Sequence, residues 1–310
     1  MNISVVIPVY NGAKTIEALV QRLGQVLPTV AEAFEVILVN DGSPDHSWEI
    51  IIALSKQYPW VRGVNLMRNC GQHNALLCGI QAACYEITIT MDDDLQHPPE
   101  EIPKLLTKMQ GNFDVVYGVP RRRQHTWWRT LFAALTKRAV AWVMGIPSMQ
   151  DIGSYRAFRT EIRRAFEHFR GSDVLIDVLL SWGTNRFASV TVEENSRMAG
   201  KSNYNFAKLV RVSLLVLTSY TTVPLRFASI MGFLFTIFGA LVFLYVIITY
   251  LLAGSIPGFP FLASTITVFS GVQLFALGII GEYLARVFNR TGGRPPYTID
   301  TFTDKGLSAE

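Results

Sequence analysis

The sequence predicts an α/β domain with a mostly parallel sheet, followed by a membrane anchor, on three observations. Short apolar runs alternate with helix-spaced segments over residues 1–120, as in strands covered on both faces by crossover helices. Polar residues cluster just after the apolar runs, where open parallel sheets bind ligands. Charge is missing from one place only. Residues 227–281 hold no Asp, Glu, Lys or Arg, so all 52 charged residues lie in the rest of the 310-residue chain. These features exclude a disordered chain, a small disulfide scaffold and a wholly soluble protein.

The elements follow in order. Residues 3–9 form an apolar strand closed by Asn11-Gly12, and residues 15–27 have helical spacing. Residues 35–39 are a second strand, ended by Asn40-Asp41-Gly42; Ser43-Pro44-Asp45 then supplies a helix cap with proline at the first helical position. Residues 61–66 are a third strand, 72–84 a helix and 86–91 a fourth strand. Pro98-Pro99-Glu100-Glu101 opens another helix, and residues 113–118 are a fifth strand. The strand ends carry Tyr10-Asn11, Asn40-Asp41, Arg68-Asn69 and Asp92-Asp93-Asp94, which makes these loops candidates for a site.

Charge divides the chain. Residues 1–120 hold 7 Lys+Arg against 13 Asp+Glu, whereas residues 121–170 hold 11 against 3. The acidic half suits a metal and the basic segment suits phosphate or an anionic membrane. Trp127, Trp128, Phe132 and Trp142 interleave with the arginines, as at a bilayer interface; a core-facing aromatic stripe is the alternative. Residues 206–224 form a second amphipathic stretch.

Two spans are expected at about 227–252 and 261–281, broken at Gly254-Ser255-Ile256-Pro257-Gly258. The first, about 39 Å of helix, exceeds the roughly 30 Å hydrocarbon core. Arg226 precedes the pair and Arg286, Arg290 and Arg294 follow it, which puts both flanks inside. The expected organisation is a cytosolic catalytic domain (1–205), an interface helix (206–224), two transmembrane helices (225–285) and a cytosolic tail (286–310). A buried helical hairpin is the alternative. The N-terminus has no basic start or cleavage site and reads as no signal peptide. Cys70, Cys78 and Cys84, without a CxxC pair, read as reduced, mostly buried thiols.

Chemistry concentrates in Asp92-Asp93-Asp94-Leu95-Gln96. Two carboxylates two residues apart at a strand end can hold a hard divalent cation that also bridges a diphosphate. A solvated acidic turn is the alternative. Asp41 after the second strand can accept hydrogen bonds from a base or ribose, or form an Asx turn.

These motifs are not isolated. Val5-Val6-Ile7-Pro8-Val9-Tyr10-Asn11, Asn40-Asp41-Gly42-Ser43, Arg68-Asn69-Cys70-Gly71-Gln72-His73, Asp92 to Glu100 and Gly200-Lys201-Ser202-Asn203-Tyr204 together resemble the family 2 glycosyltransferases, within them the polyprenyl-phosphate glycosyltransferases. The resemblance covers nearly the whole chain. It implies a GT-A nucleotide-diphosphate-sugar-binding fold with amphipathic interface helices and a two-helix transmembrane hairpin.

The resemblance also implies roles. Pro8, Tyr10, Asn11, Asp41, Asp92 and Asp93 match donor-nucleotide positions, and Asp92, Asp94 and Gln96 match positions that hold Mg²⁺ or Mn²⁺. Arg121, Arg156, Arg197, Lys201 and Ser202 match positions around an acceptor phosphate. Catalysis is assigned to Asp92, Asp94, Gln96, Arg121 and Arg156. The expected partners are a nucleotide-sugar (UDP-linked), undecaprenyl phosphate, the inner (plasma) membrane and further copies of the chain, a tetramer; no nucleic acid is expected. Two departures stand out: Gly12 replaces the usual Glu after Tyr-Asn, and Asn203 stands where many relatives have Lys. A Gln-x-x-Arg-Trp motif is absent, which argues against a polymerising enzyme. An acceptor phosphate, with a second pKa of about 6, needs no general base to become nucleophilic. The rival reading is an inactive membrane scaffold or lipid carrier of the same fold.

Overall fold

The computed structural model describes residues 1–120, 153–169, 171, 174–195, 223–253, 258–291 and 295–303. The interface aromatics of 127–142, residues 206–222, and the predicted acceptor residues Arg121, Arg197, Lys201 and Ser202 lie outside them. The chain divides into two compact units, one of residues 1–203 with 293–310 and the other of residues 204–292.

In the first unit an eight-stranded sheet is built from β1 (Asn2–Val9), β2 (Ala33–Asn40), β3 (Val61–Leu66), β4 (Ile87–Thr90), β5 (Val115–Pro120), β6 (Arg156–Arg159), β7 (Phe187–Val192) and β8 (Ile299–Phe302). The order is β7-β5-β6-β4-β1-β2-β3-β8. β1 pairs in parallel with β2 and β4, β2 with β3, and β5 with β7. Antiparallel pairing is confined to β6, between β4 and β5, and to β8 on β3. The sheet is therefore mixed but mostly parallel, as predicted.

Helices α1 (Ile16–Val30), α2 (Ser47–Gln57), α3 (Gln72–Ala82), α4 (Ile102–Met109) and α5 (Ile176–Gly183) cover both faces. Successive side chains of a strand point to opposite faces, and β1 feeds two cores. Val5 and Ile7 pack with Leu19, Leu23 and Leu27 of α1; Val6 packs with Leu76, Leu77 and Ile80 of α3 and Leu179 of α5. On α1 the buried positions Ile16, Leu19, Val20, Leu23 and Leu27 recur at helical spacing, so one stripe faces the sheet.

Two local expectations need correction. α2 starts at Ser47, after the predicted Pro44, because Asp45 accepts from both the Ser47 N–H (3.2 Å) and its hydroxyl (2.5 Å) and keeps residues 43–46 in a loop. Of the three thiols only Cys78 is buried, and that burial pushes it up to about 12; Cys84 is exposed and Cys70 lies between.

The second unit contains α6 (Val223–Ala253) and α7 (Phe259–Thr291), which meet through an edge-on Phe235–Phe269 pair at 6.0 Å. Among the described residues, Leu225–Leu252, with mean hydropathy 2.5, is the one segment long and apolar enough to cross a bilayer. Its large side chains, Phe233, Leu234, Phe238 and Leu241 among them, are exposed, as on a lipid-facing helix. The predicted second span is supported only in part. α7 is 33 residues long, but its apolar stretch is the shorter Phe269–Ala285, and Glu282 falls within that stretch.

Candidate active site

After β1 the chain moves outward through β2 and β3, then returns to add β4 on the other side of β1. The β1 and β4 loops therefore lie side by side at the carboxyl end of the sheet, bordering the crevice at which such sheets bind ligands, and the helices that follow them, α1 and α4, pack in the same core. Tyr10, Asn11 and Gly12 form one wall and Asp92 to Gln96 the other. Asn11 (φ 58°) and Leu95 (φ 60°) adopt the left-handed conformation, uncommon for non-glycine residues and concentrated at functional loops.

The β1 loop is held from β2. Asn11 N–H donates to Ser43 Oγ (3.2 Å), Gly12 N–H to Ser47 Oγ (3.0 Å) and Ala13 N–H to Asp45 Oδ2 (3.2 Å). Pro8 is buried within β1 opposite Val39. Tyr10 is 51% exposed, leaving an aromatic face free beside the crevice.

Asp41 is buried, and both its oxygens are engaged. Cys70 N–H donates to Oδ1 (2.6 Å) and Gly71 N–H to Oδ2 (2.9 Å). Burial raises its pKa despite these two opposing bonds. The turn packs tightly: Gly42 has φ +60°, and a Cβ there would lie 2.6 Å from the Asn69 nitrogen. Asp41 thus organises the β3–α3 loop, a contact that the sequence reading did not contain.

The acidic loop is less satisfied. Asp92 accepts from Gln72 Nε2 (2.6 Å) and Ser154 Oγ (2.7 Å). Its pKa is raised by lost solvation and by Asp94, with the Ser154 bond opposing. Asp94 Oδ1 accepts from the Gln96 N–H at 3.1 Å. Burial, then Asp92 and Asp94, push Asp93 up to about 7, opposed by the backbone amides of Asp93 and Tyr10. Its Oδ2 has no hydrogen-bond partner among the described residues.

A divalent cation fits this donor set. Besides burial, Asp94 raises the pKa of Asp92, and the two together raise that of Asp93, which is the electrostatic condition a cation relieves. Asp92, Asp94 and Gln96 offer hard oxygen donors suited to Mg²⁺ or Mn²⁺. Among the described residues no group of three or more His, Cys, Asp or Glu side chains converges as a metal cage. Such a site leaves coordination positions to phosphate oxygens and water.

Arg156 corrects the sequence reading. Its side chain is 1% exposed, bonded to Asp177 of α5 and, through Nε, to Thr90 Oγ1 at 2.9 Å. Tyr117 OH donates to the same Asp177 (3.0 Å). A guanidinium sealed in the sheet is no free fork for a lipid phosphate; it is the cation of a buried pair. Thr90 in turn donates to the Ser154 carbonyl (2.8 Å), so the pair braces the residue that holds Asp92. Ser154 and Asp177 had no sequence signal, since each acts only through a distant partner.

Strand order, crevice and acidic loop define the class, an α/β protein of GT-A fold. The chain belongs to glycosyltransferase family 2: the model described as "Glycosyl transferase family 2" matches residues 4–165. Two undecaprenyl-phosphate 4-deoxy-4-formamido-L-arabinose transferases are similar over almost the full length. That of Enterobacter sp. (strain 638) is 32% identical, covering 98% of this chain and 94% of the relative; that of Shewanella sediminis (strain HAW-EB3) is 35% identical, covering 96% and 91%. Among solved structures, glucosyl-3-phosphoglycerate synthase from Mycobacterium tuberculosis with Mn²⁺, UDP and phosphoglyceric acid aligns with TM-score 0.51. It is 19% identical and the alignment covers 70% of this chain and 76% of that one, a likeness of fold.

Proposed function

We propose that this protein transfers one sugar from a nucleotide-sugar to undecaprenyl phosphate at the cytosolic face of the inner membrane, with inversion at the anomeric carbon. The observation that carries the reading is the meeting of Tyr10-Asn11 and Asp92 to Gln96 across the β1/β4 crevice, in a chain whose relatives act on undecaprenyl phosphate.

An oxygen of the acceptor phosphate attacks the anomeric carbon. The carbon–oxygen bond to the phosphate forms as the bond to the diphosphate breaks, and a nucleoside diphosphate departs. Mg²⁺ or Mn²⁺, when bound, offsets the negative charge growing on that diphosphate. Asp92, Asp94 and Gln96 would hold the ion, while Gln72 and Ser154 hold Asp92 in place. Tyr10 and Asn11 would border the nucleotide, with Asp41 shaping the neighbouring loop. The phosphate, already largely dianionic at neutral pH, needs orientation rather than deprotonation. That task falls to Arg121, Arg197, Lys201 and Ser202.

Connectivity supports two crossings. β8 follows α7 in sequence yet pairs with β3 of the catalytic sheet. A chain that leaves the sheet, crosses a bilayer through α6 and returns to the same sheet crosses an even number of times. Both flanks of the hairpin then lie on the nucleotide-sugar side.

The test is a panel of UDP- and GDP-sugars with undecaprenyl phosphate and purified full-length protein, scored for nucleotide release and lipid-linked sugar. One donor is expected to give both products, only with lipid phosphate and divalent metal present. A scaffold or carrier would release no nucleotide with any donor.

A further inference from the structure

Gly12 is not explained by its backbone. Among the described residues the glycines with positive φ are Gly42 and Gly71, so position 12 adopts a conformation open to any L-residue. Space explains it instead. A Cβ at Gly12 would lie 2.3 Å from Asp93 Oδ2, with Val9 Cγ1 at 3.1 Å and Ile16 Cγ1 at 3.2 Å closing the other sides.

Gly12 is also poorly placed to retreat. Its N–H donates to Ser47 Oγ (3.0 Å), and its carbonyl accepts from Thr15 N–H (2.9 Å) and Ile16 N–H (3.1 Å) at the start of α1. Any side chain at 12 therefore displaces the Asp93 carboxylate. That carboxylate lies between Asp92 and Asp94 in sequence and is held by the Tyr10 amide, so its displacement disturbs both walls of the crevice.

We propose that Gly12 and Asp93 form an exclusion pair in which the missing side chain at 12 is the socket for the Asp93 carboxylate, and that Asp93 is a positioning residue locking the Tyr10–Gly12 turn against the acidic loop in the donor-receiving arrangement. The consequence for binding rests on the donor site proposed above; the pair itself rests on the packing alone.

A double-mutant cycle tests it with Gly12→Ala, Asp93→Ala and the two combined. Binding of UDP and of GDP is measured by calorimetry without metal, and thermal unfolding is measured in parallel. Gly12→Ala is expected to weaken diphosphate binding about tenfold and lower the melting temperature. Asp93→Ala should have a smaller effect, and the double variant should nearly match Asp93→Ala alone, because without the carboxylate the added methyl group meets only the Val9 and Ile16 side chains, at 3.1 and 3.2 Å. Asp93→Asn has the same shape as aspartate, so Gly12→Ala with Asp93→Asn should stay impaired. Additive effects in the cycle, or wild-type behaviour of Gly12→Ala, would overturn the pair. If wild-type protein binds neither diphosphate even after Mg²⁺ or Mn²⁺ is added, the donor reading fails, while the unfolding cycle still decides the pair.

Discussion

Asp41, after β2, and Asp93, after β4, are carboxylates at the same end of one sheet, each with a raised pKa. Asp41 has an amide on each oxygen; Asp93 has an oxygen with no partner, beside two more carboxylates. The first loop is internally complete and serves as scaffold. The second concentrates charge that the chain does not neutralise, as expected where the compensating charge arrives with metal and diphosphate. Asp114 marks the other extreme. It takes Arg186 Nη2 on one oxygen (2.6 Å) and Arg186 Nε on the other (2.8 Å), with Thr184 Oγ1 at 2.6 Å.

Four perturbations sharpen this comparison. The largest effect is expected from Arg156→Ala, which leaves Asp177 buried without its cation. Loss of one partner of a buried pair costs about 3–5 kcal/mol, read as a fall in the denaturation midpoint. If stability is unchanged and only acceptor kinetics suffer, the structural assignment of Arg156 is wrong. Next comes Asp94→Ala, which removes a predicted metal oxygen from the unsatisfied loop. Transfer at saturating Mg²⁺ should fall at least about a hundredfold with the fold intact; equal transfer would remove Asp94 from the metal site.

Asp41→Ala should do the reverse. It orphans the Cys70 and Gly71 amides, each worth about 1–3 kcal/mol when left buried and unpaired, so thermal stability should drop before chemistry does. A variant as stable as wild type, with donor binding alone lost, would return Asp41 to a purely ligand-binding role. The smallest effect concerns pH. Burial raises the Asp114 pKa, but the Arg186 and Thr184 hydrogen bonds outweigh it and leave the carboxyl below its usual value. A depressed folded pKa gives stability that is present above the unfolded value of about 3.9 and is lost as pH falls through the lower folded one. Asp114→Asn should therefore flatten the dependence of melting temperature on pH below about 4. An unchanged acid limb would mean that the Arg186 contact contributes nothing in solution.

Much of this was legible in the sequence. The five parallel-sheet strands, the acidic loop after β4 and the long apolar segment each leave a local signature of apolar run, turn residues or missing charge. Less legible were β6 and β8. Arg156-Ala157-Phe158-Arg159 has an arginine at each end and no apolar run, and Arg156 is expected at an acceptor phosphate, yet β6 lies between β4 and β5 with Arg156 paired to Asp177 of a helix. The carboxyl-terminal residues are expected as a cytosolic tail with no strand assigned, yet β8 pairs with β3 and Asp300 meets Asn65 at 3.0 Å across 235 residues.

By itself, then, the sequence determined the α/β class, the mostly parallel sheet, the acidic loop after the fourth strand and the charge-free segment, because periodicity and charge depletion are properties of neighbours along the chain. Tertiary structure alone decided which carboxylates are satisfied. Arg156 became half of a buried pair, Asp41 the anchor of the β3–α3 loop, and Gly12 the empty space that Asp93 fills. Each outcome depends on a partner far away along the chain. The free energy of a buried charge is set by what surrounds it in space.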